Sequence, residues 1–399
     1  MLIISDKSIP AVGHLNFFNN ICIICPLRRV QNHYTTIMKK NIALVTGGFS
    51  GEAVISYKSA VTIDNNLDRN LFNVYKIDIN PQGWFYELAD GRKAEIDKND
   101  FSLQLDNQKI NFDAVFIGMH GTPGEDGKLQ GYFDTLKLPY TSCDAATSAI
   151  TFNKRYAVAV AGMAGIGVAK SVILIKNSFG SPDEIINTLK FPVFVKPNNG
   201  GSSIGMSKVH KSSDELGLAI EKAFKEDDQV LVEEMIKGRE FTVGVFKSKG
   251  NIIVLPLTEV KADADMAFFD FEAKYQGKSS EITPAIVDEI IADKIRETAK
   301  KVYTVFNCRG VVRIDFIYNE EEGRPYMLEV NTIPGQSEAS IVPQQVKAMG
   351  WSLKEFYTKL VQESFTGKSY LRDRNPWRHG PLALPLAAAV SQEMSERRA

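Results

Sequence analysis

Four polar residues near the end of the chain, Arg313, Asp315, Glu329 and Asn331, fall in two runs of strand type, VVRIDFIY (311–318) and YMLEVN (326–331). Side chains alternate faces along a strand. In the first run Val312, Ile314, Phe316 and Tyr318 share one face, which leaves Arg313 and Asp315 on the other. In the second, Tyr326, Leu328 and Val330 share a face, leaving Met327, Glu329 and Asn331 opposite. Laying the apolar faces on a core gathers the four polar residues on one surface. Two carboxylates and an amide oxygen are hard ligands suited to Mg2+, an ion that keeps waters and bridges to substrate phosphates. The arginine offers a forked donor to a phosphate or a developing oxyanion. A solvated sheet face with ordinary ion pairs fits the same pattern about as well. The turn that follows, TIPGQS (332–337), favours a site, because Gly335 lets backbone approach a ligand closely.

A second group surrounds KPNNGGSSIG (196–205), which follows the apolar run Phe191–Val195. After Lys196 come two glycines, Ser202, Ser203 and a further glycine, exposing backbone N–H groups and small hydroxyls as a phosphate requires. Neither GxxxxGK[ST] nor GxGxxG occurs in the chain. Lys154, opening a helix, and Lys196, ending a strand, suit phosphate oxygens, although a lone lysine is more often a surface charge. In VLVEEMIKGREFTVGVF (230–246), Glu233 and Glu240 flank the apolar pair Met235 and Ile236. Carboxylates and main chain there suit an adenine amino group and ribose hydroxyls, with the apolar pair against the ring; an ordinary hairpin explains the stretch locally. Near the start, GGFSGE (47–52) is a strand–turn–helix junction whose helix N-terminus attracts an anion. Glu52 in the first turn equally answers the helix dipole. In MHGTPGEDGKLQG (119–131), His120 holds a substrate carboxylate or caps a strand end. The long, aromatic and charged segment 266–282 reads as an active-site lid.

These groups need elements to position them. Strand-like runs cover 42–46, 114–118, 191–196, 230–236, 241–246, 252–257, 311–318 and 326–331, and helical periodicity covers 52–67, 125–137, 152–163, 214–225 and 284–306. The first third alternates strand and helix as in a doubly wound α/β unit, while the closely spaced strands after 230 imply antiparallel pairing. A chain of 399 residues holds two or three domains, at about 150 residues each. Its 44% hydrophobic and 24% charged residues are those of a soluble α/β protein. A net charge of −1 supplies no field for nucleic acid or membrane. Cys22, Cys25, Cys143 and Cys308 are too scattered for a disulfide framework, and Cys22–Cys25, formally CxxC, has no second pair beside it. No apolar run approaches the ~18 residues of a membrane helix. Both ends differ from the middle: residues 1–37 lack periodicity, and 368–399 turn from lysine-rich to arginine- and proline-rich.

Taken together, GGFSGE, HGTPGEDGKLQG, KPNNGGSSIGMSKV, VEEMIKGREFTV, FEAKY, RIDF and LEVNTIPG with SEASIVP resemble the D-alanine–D-alanine ligase family of the ATP-grasp superfamily. They stand in family order over roughly 40–364. The resemblance implies an ATP-grasp fold of α+β lobes behind an N-terminal α/β substrate domain. The implied divisions are 38–140, a central lobe 141–237 and a C-terminal lobe 238–364, with extensions 1–37 and 365–399 unlike the family and unstructured. It implies ATP-dependent joining of two D-alanines through an acyl phosphate, with two Mg2+ ions, or Mn2+ in their place. Glu52 would hold the first ammonium with His120 near its carboxylate. Lys154, Lys196 and Ser203 would bind phosphates, and Glu233, Met235, Ile236 and Glu240 the adenosine. Asp315, Glu329 and Asn331 would ligate the metals, while Arg313 and the Gly335 amide would stabilise the oxyanion. Ser340 and Lys274, the latter also close to ATP, would hold the second carboxylate. Ser202 and Tyr275 would form a hydrogen-bonded triad with Glu52.

Two features depart from many members: Ala53-Val54-Ile55 replace basic residues after Glu52, and Met235 stands where some carry tryptophan. The resemblance further implies a cytoplasmic homodimer joined through the first lobe, with no nucleic-acid or membrane partner. D-alanyl–D-lactate ligases share the scaffold, but Lys274-Tyr275 matches the dipeptide makers; an inactive ATP-binding module is the alternative of another class. Asp315→Ala is expected to abolish turnover and leave the fold intact, since the residue faces away from the core.

Overall fold

The computed structural model describes residues 38–178, 182–201, 204–210, 212–262 and 279–372. From residue 39 the chain forms one compact unit built on three sheets. The first contains β1 (Lys40–Gly47), β2 (Phe72–Asn80), β3 (Gly83–Glu87), β4 (Lys93–Asp97), β5 (Ser102–Leu105), β6 (Gln108–Ile110) and β7 (Ala114–Ile117), in the order β6-β5-β4-β3-β2-β1-β7. Only β2, β1 and β7 are parallel; β3 to β6 add an antiparallel meander to one edge. The doubly wound expectation therefore holds for the centre of this sheet and not for its edge. At the centre, Ile42 to Val45 are wholly buried. Ile42 and Leu44 pack with helix α1 (Ala53–Asn66), and Ala43 and Val45 pack on the other face with α2 (Lys128–Leu136). A strand apolar on both faces is what a sheet covered on both sides demands.

Helices α3 (Ala145–Phe152) and α4 (Lys154–Met163) lead to the second sheet. It comprises β8 (Ser171–Ile175), β9 (Val193–Pro197), β10 (Ser207–Val209) and β11 (Gln229–Glu234), all antiparallel, in the order β10-β9-β11-β8. One face packs on α5 (Pro182–Thr188) and α6 (Ser213–Ala223).

The third sheet holds β12 (Arg239–Ser248), β13 (Asn251–Val254), β14 (Thr258–Ala262), β15 (Ser279–Ile282), β16 (Val311–Asn319) and β17 (Arg324–Asn331). Its order is β15-β14-β12-β16-β17, with β13 also paired to β12, and every pairing is antiparallel, as the close strand spacing implies. Helix α7 (Glu289–Val305) lays Ala292, Ile295, Ala299 and Val302 on this sheet, an apolar stripe at helical spacing. It starts at 289 rather than 284 because the Asp288 carboxylate accepts from Ile290 N–H and caps the helix.

Helix α8 (Ile341–Ala348) is held to β12 by buried Gln345, which accepts from Gly244 N–H and donates to the Thr242 carbonyl. Helix α9 (Leu353–Arg372) buries Phe356, Tyr357, Leu360 and Val361 beside β1 and α1. The expected boundary at 364/365 lies inside this helix; residues 373–399, like 1–37, are outside the described residues. Among the described residues no helix is long and apolar enough to cross a membrane.

One expected face is wrong. The β16–β17 register pairs Asp315 with Glu329 but Phe316 with Met327, so Leu328 is a bulge. A bulge inserts one residue and resets the alternation beyond it. Met327 therefore joins the core at 2% exposure, and Leu328 turns to the opposite face, into a cavity. Glu329 and Asn331, beyond the bulge, keep the face expected of them.

Candidate active site

Arg313, Asp315, Glu329 and Asn331 do converge. Arg313 grips Asp315 through two parallel bonds, Nε–Oδ1 at 2.9 Å and Nη2–Oδ2 at 2.7 Å. Its Nη2 also lies 3.9 Å from Glu329 Oε1. Thr242, across on β12, donates its hydroxyl to Asp315 Oδ1, and Asn331 Nδ2 donates to Asp315 Oδ2 at 3.2 Å. Burial acts to lower the pKa of the Arg313 guanidinium, but the Asp315 and Glu329 carboxylates outweigh it and hold the group charged. Asp315 itself is only 6% exposed. The expectation that it stands clear of the packed interior is therefore corrected: removing it strands a buried arginine. Among the described residues no three His, Cys, Asp or Glu side chains group closely enough to hold a metal. Asp315 and Glu329 instead face each other across two strands with an amide beside them, an open set of oxygens that suits an ion shared with phosphates.

This cluster lies where two cavities meet. One, of about 760 Å³, is lined by Lys154, Lys196, Glu233, Met235, Ile236 and Glu240, with Leu328 and Ile317 completing an apolar wall. Lys196 and Glu233 are diagonal neighbours on paired strands, opposite Leu231 and Phe194 respectively, and form an ion pair at 2.5 Å, both largely buried. Lys154 opens α4, where a cation opposes the helix dipole. Its ammonium donates to the Gly200 carbonyl at 2.6 Å, tying the helix to the glycine loop. Asn198, wholly buried, holds the same junction by accepting from Arg155 N–H.

The second cavity, of about 350 Å³, is lined by Glu52, His120, Arg313, Gly335 and Ser340. Both cavities share Lys154, Gly200, Gly201, Glu240, Asp315 and Glu329 as wall. The Glu52 carboxylate is flanked by two glycines from distant loops. A Cβ on Gly121 would come within 2.6 Å of its Oε2, and one on Gly201 within 2.7 Å of its Oε1. Only glycine permits that approach, and Gly121 also has a positive φ of 65°. Gly335 leaves room for Ser340: a Cβ there would meet Ser340 Oγ at 2.8 Å and displace a hydroxyl already bonded to Ser337 Oγ at 2.7 Å.

His120 is buried, and its Nε2 lies 2.9 Å from Ser59 Oγ, which also accepts from Gln336 N–H. Desolvation brings its pKa down to about 4, aided by the Arg313 charge and opposed by a backbone hydrogen bond at Ile333, so the ring is neutral at pH 7. It can orient a carboxylate but cannot pair with one as a cation.

The chain matches the family models described as D-ala D-ala ligase N-terminus over residues 41–143 and D-ala D-ala ligase C-terminus over 160–362. The chain belongs to the D-alanine–D-alanine ligase family. It is 46% identical to the D-alanine–D-alanine ligase of Flavobacterium johnsoniae over 82% of this chain and 99% of the relative. It is 43% identical to that of Phocaeicola vulgatus over 82% of this chain and all of the relative. Among solved structures, VanG D-Ala:D-Ser ligase from Enterococcus faecalis superposes with a TM-score of 0.74 at 32% identity, over 82% of this chain and 100% of that one. A D-alanine–D-alanine ligase from Bacillus anthracis complexed with ATP gives 0.66 at 25% identity, over 83% and 99%. The fold is accordingly the ATP-grasp fold of this ligase family.

Against the family, four expected site residues, Ser202, Ser203, Lys274 and Tyr275, lie outside the described residues, as does most of the 266–282 segment. One residue that sequence reasoning passed over stands out. Glu125 lines the ligase's second cavity and accepts from Gly121 N–H at 2.7 Å and Ile333 N–H at 3.3 Å. It thus joins the His120 loop to the loop that carries Gly335. Desolvation, with the neighbouring Glu52 charge, pushes its carboxyl up to about 8. The signal was present as the acid in HGTPGEDG, five residues after His120. Nothing local separated it from a solvated loop acid.

Proposed function

We propose that this chain phosphorylates the carboxylate of one D-alanine with ATP and joins the resulting acyl phosphate to the amine of a second. The carrying observation is the placement of Asp315 and Glu329 in the common wall of the two cavities, one sized and lined for a nucleotide, the other for a small amino acid. Transfer between two bound reactants needs its charged groups at that junction and nowhere else.

In this reading adenosine lies against Met235, Ile236 and Leu328, its polar edges met by Glu233 and Glu240. Lys154 and Lys196 face the phosphates, with Ser203 and Lys274 contributing from the segments on either side. Asp315, Glu329 and Asn331 would hold two Mg2+ ions, or Mn2+, which when bound would neutralise phosphate charge. Glu52 holds the first ammonium and neutral His120 orients its carboxylate for attack on the γ-phosphorus. The C–O–P bond forms as ADP departs. The second amine then attacks the carbonyl carbon, and phosphate leaves as the C–N bond is made. Arg313 and the Gly335 N–H face the oxygen that gains charge, already oriented before the reaction begins. Ser340 and Lys274 hold the second carboxylate, and Ser202 and Tyr275 link to Glu52. The lobes are 38–140, 141–237 and from 238 through α9, which runs to Arg372.

The reaction draws on cytoplasmic ATP, and its product serves peptidoglycan synthesis and cell shape. The partner macromolecule is a second copy of this chain. Val54, Tyr57 and Val61 recur at helical spacing on the outer face of α1, exposed at 59%, 41% and 54%, beside exposed Phe49. Such a stripe on the first lobe suits burial against itself across a two-fold axis.

The test is ADP release with Mg-ATP and D-alanine, L-alanine, or D-alanine plus D-lactate, with products resolved by mass. D-alanine alone should give its dimer, and L-alanine nothing. An ester with D-lactate as main product would overturn the choice of second substrate. ATP binding without turnover in every mixture would make the chain an inactive nucleotide-binding module.

A further inference from the structure

Resting on the ligase reading, a question remains about the second amino acid. It arrives as an ammonium ion, and an ammonium has no lone pair with which to attack a carbonyl. Something must favour its arrival and take a proton from it. Among the described residues, the carboxylates lining the reaction cavity are Glu52, Glu125, Glu240, Asp315, Glu329 and Glu281. Asp315 and Glu329 belong to the metal cluster, Glu240 extends into the nucleotide cavity, Glu52 faces the first substrate, and Glu125 is bonded by two backbone N–H groups. Glu281 has no part in the scheme.

Its placement is specific. Glu281 lies on β15 opposite Val260 of β14, and both residues line the cavity. It is accessible from that space rather than sealed in the core. Gln344 Nε2 donates both to Glu281 Oε2 at 3.3 Å and to the Ala339 carbonyl at 2.8 Å. The amide thereby ties the carboxylate to the turn that presents Ser340. An α-amino acid carries its carboxylate and ammonium on the same carbon. A site that takes the carboxylate at Ser340 therefore brings the ammonium close to whatever borders that turn. Burial raises the Glu281 carboxyl pKa by more than the Gln344 bond and the Arg313 charge act to lower it. The cavity wall pushes the carboxyl pKa upward through desolvation, which makes it a better proton acceptor than a free surface acid.

We propose that Glu281 receives the ammonium of the second amino acid and accepts the proton that must leave before attack. The nitrogen passes one proton to the carboxylate and becomes a neutral amine. Its lone pair forms the C–N bond, and the C–O bond to phosphate breaks. The second nitrogen proton departs with the phosphate. Glu281 then returns its proton to solvent as product leaves. Because a hydroxy acid offers no cation, the same carboxylate biases the site toward amines.

The test uses the full chain with Glu281→Gln and Glu281→Asp. Each is assayed with Mg-ATP and D-alanine, with and without hydroxylamine, a nucleophile already uncharged at neutral pH that captures an acyl phosphate as a hydroxamate. The ratio of dipeptide to hydroxamate does not depend on how much of the preparation is folded. Glu281→Gln should lower that ratio by tenfold or more while hydroxamate formation per folded molecule stays near wild type, and Glu281→Asp should restore part of it. A wild-type ratio in Glu281→Gln overturns the proposal, as does an equal loss of both products. If the wild-type chain forms neither product from D-alanine, the ligase reading itself fails, a different outcome from either.

Discussion

The β16–β17 strand pair and the loop cluster around His120 hold their charges in opposite ways. On the strands, Arg313, Asp315, Glu329 and Asn331 come from within twenty positions of one another, and charge is met by charge through paired hydrogen bonds. In the loop cluster, Glu125, His120 and the 332–340 turn come from distant parts of the chain, and burial suppresses the charge of His120 and Glu125. One side holds a buried arginine charged; the other keeps a histidine neutral and pushes a carboxyl toward its neutral form. Desolvation and pairing are separate ways to set a protonation state. A reaction that starts from a polyanion and ends with a neutral amide has use for both.

The largest effect should come from the strand side. Asp315→Asn keeps the shape and removes the charge, and we expect turnover to fall by at least about 10³-fold. Asp315→Ala should in addition cost about 3 kcal/mol of stability by leaving Arg313 buried and ungripped. Steady-state ADP release and urea melts on both variants check this. Equal stability of the two would contradict the bidentate pair.

Next comes the brace on the loop side. Glu125→Ala leaves two N–H donors without their acceptor, at about 1–3 kcal/mol each, and should reduce turnover by about 10²-fold as the Gly335 loop loses its support. Glu125→Gln keeps one acceptor oxygen for the Gly121 N–H but turns an amide NH2 toward Ile333, so it should recover only part of that loss. If the two variants are equally impaired, the carboxyl's charge rather than its bonding is what matters.

The bulge supplies a cleaner separation. Met327→Ala should cost about 2–5 kcal/mol with little change in the KM for ATP. Leu328→Ala should do the reverse, raising that KM several-fold with a small effect on melting. Uninterrupted alternation would exchange the two results.

The smallest effects are in pH dependence, and the two loop groups oppose each other. Glu125 is raised from 4.5 to about 8 in the folded chain, so its contribution to stability is present below pH 4.5 and lost as pH rises toward 8. His120 is lowered from 6.5 to about 4, so its contribution is present above pH 6.5 and lost as pH falls toward 4. Thermal melts should show the Glu125→Gln variant gaining on wild type with rising pH, and His120→Gln gaining with falling pH. Parallel curves for either variant would show that its group titrates alike in both states.

The sequence made the strand side legible and left much of the loop side hidden. Arg313 and Asp315 share a face because they stand two positions apart, one full pleat, in a stretch of β16 that no bulge interrupts. The long α7 is announced by its stripe. By contrast α3, AATSAITF, has no such stripe, and its buried Thr147, Ser148 and Thr151 bond to backbone carbonyls within the fold. The short strands β3 to β6 are likewise too brief and too exposed to show a period. Glu125 had the identity of a site residue and no local mark of burial.

Residue type and local spacing thus determined the family motifs, the alternation that gathers the acids on β16 and β17, and the chemistry those groups can perform. Tertiary structure alone decided that Leu328 faces the larger of the two cavities and Met327 the core, that Asp315 is locked to Arg313, that His120 is neutral, and that two cavities share one acidic wall. The division follows from range. Alternation is a property of neighbouring peptide units, whereas desolvation, hydrogen-bond satisfaction and the enclosure of space depend on atoms that the chain brings together only when it folds.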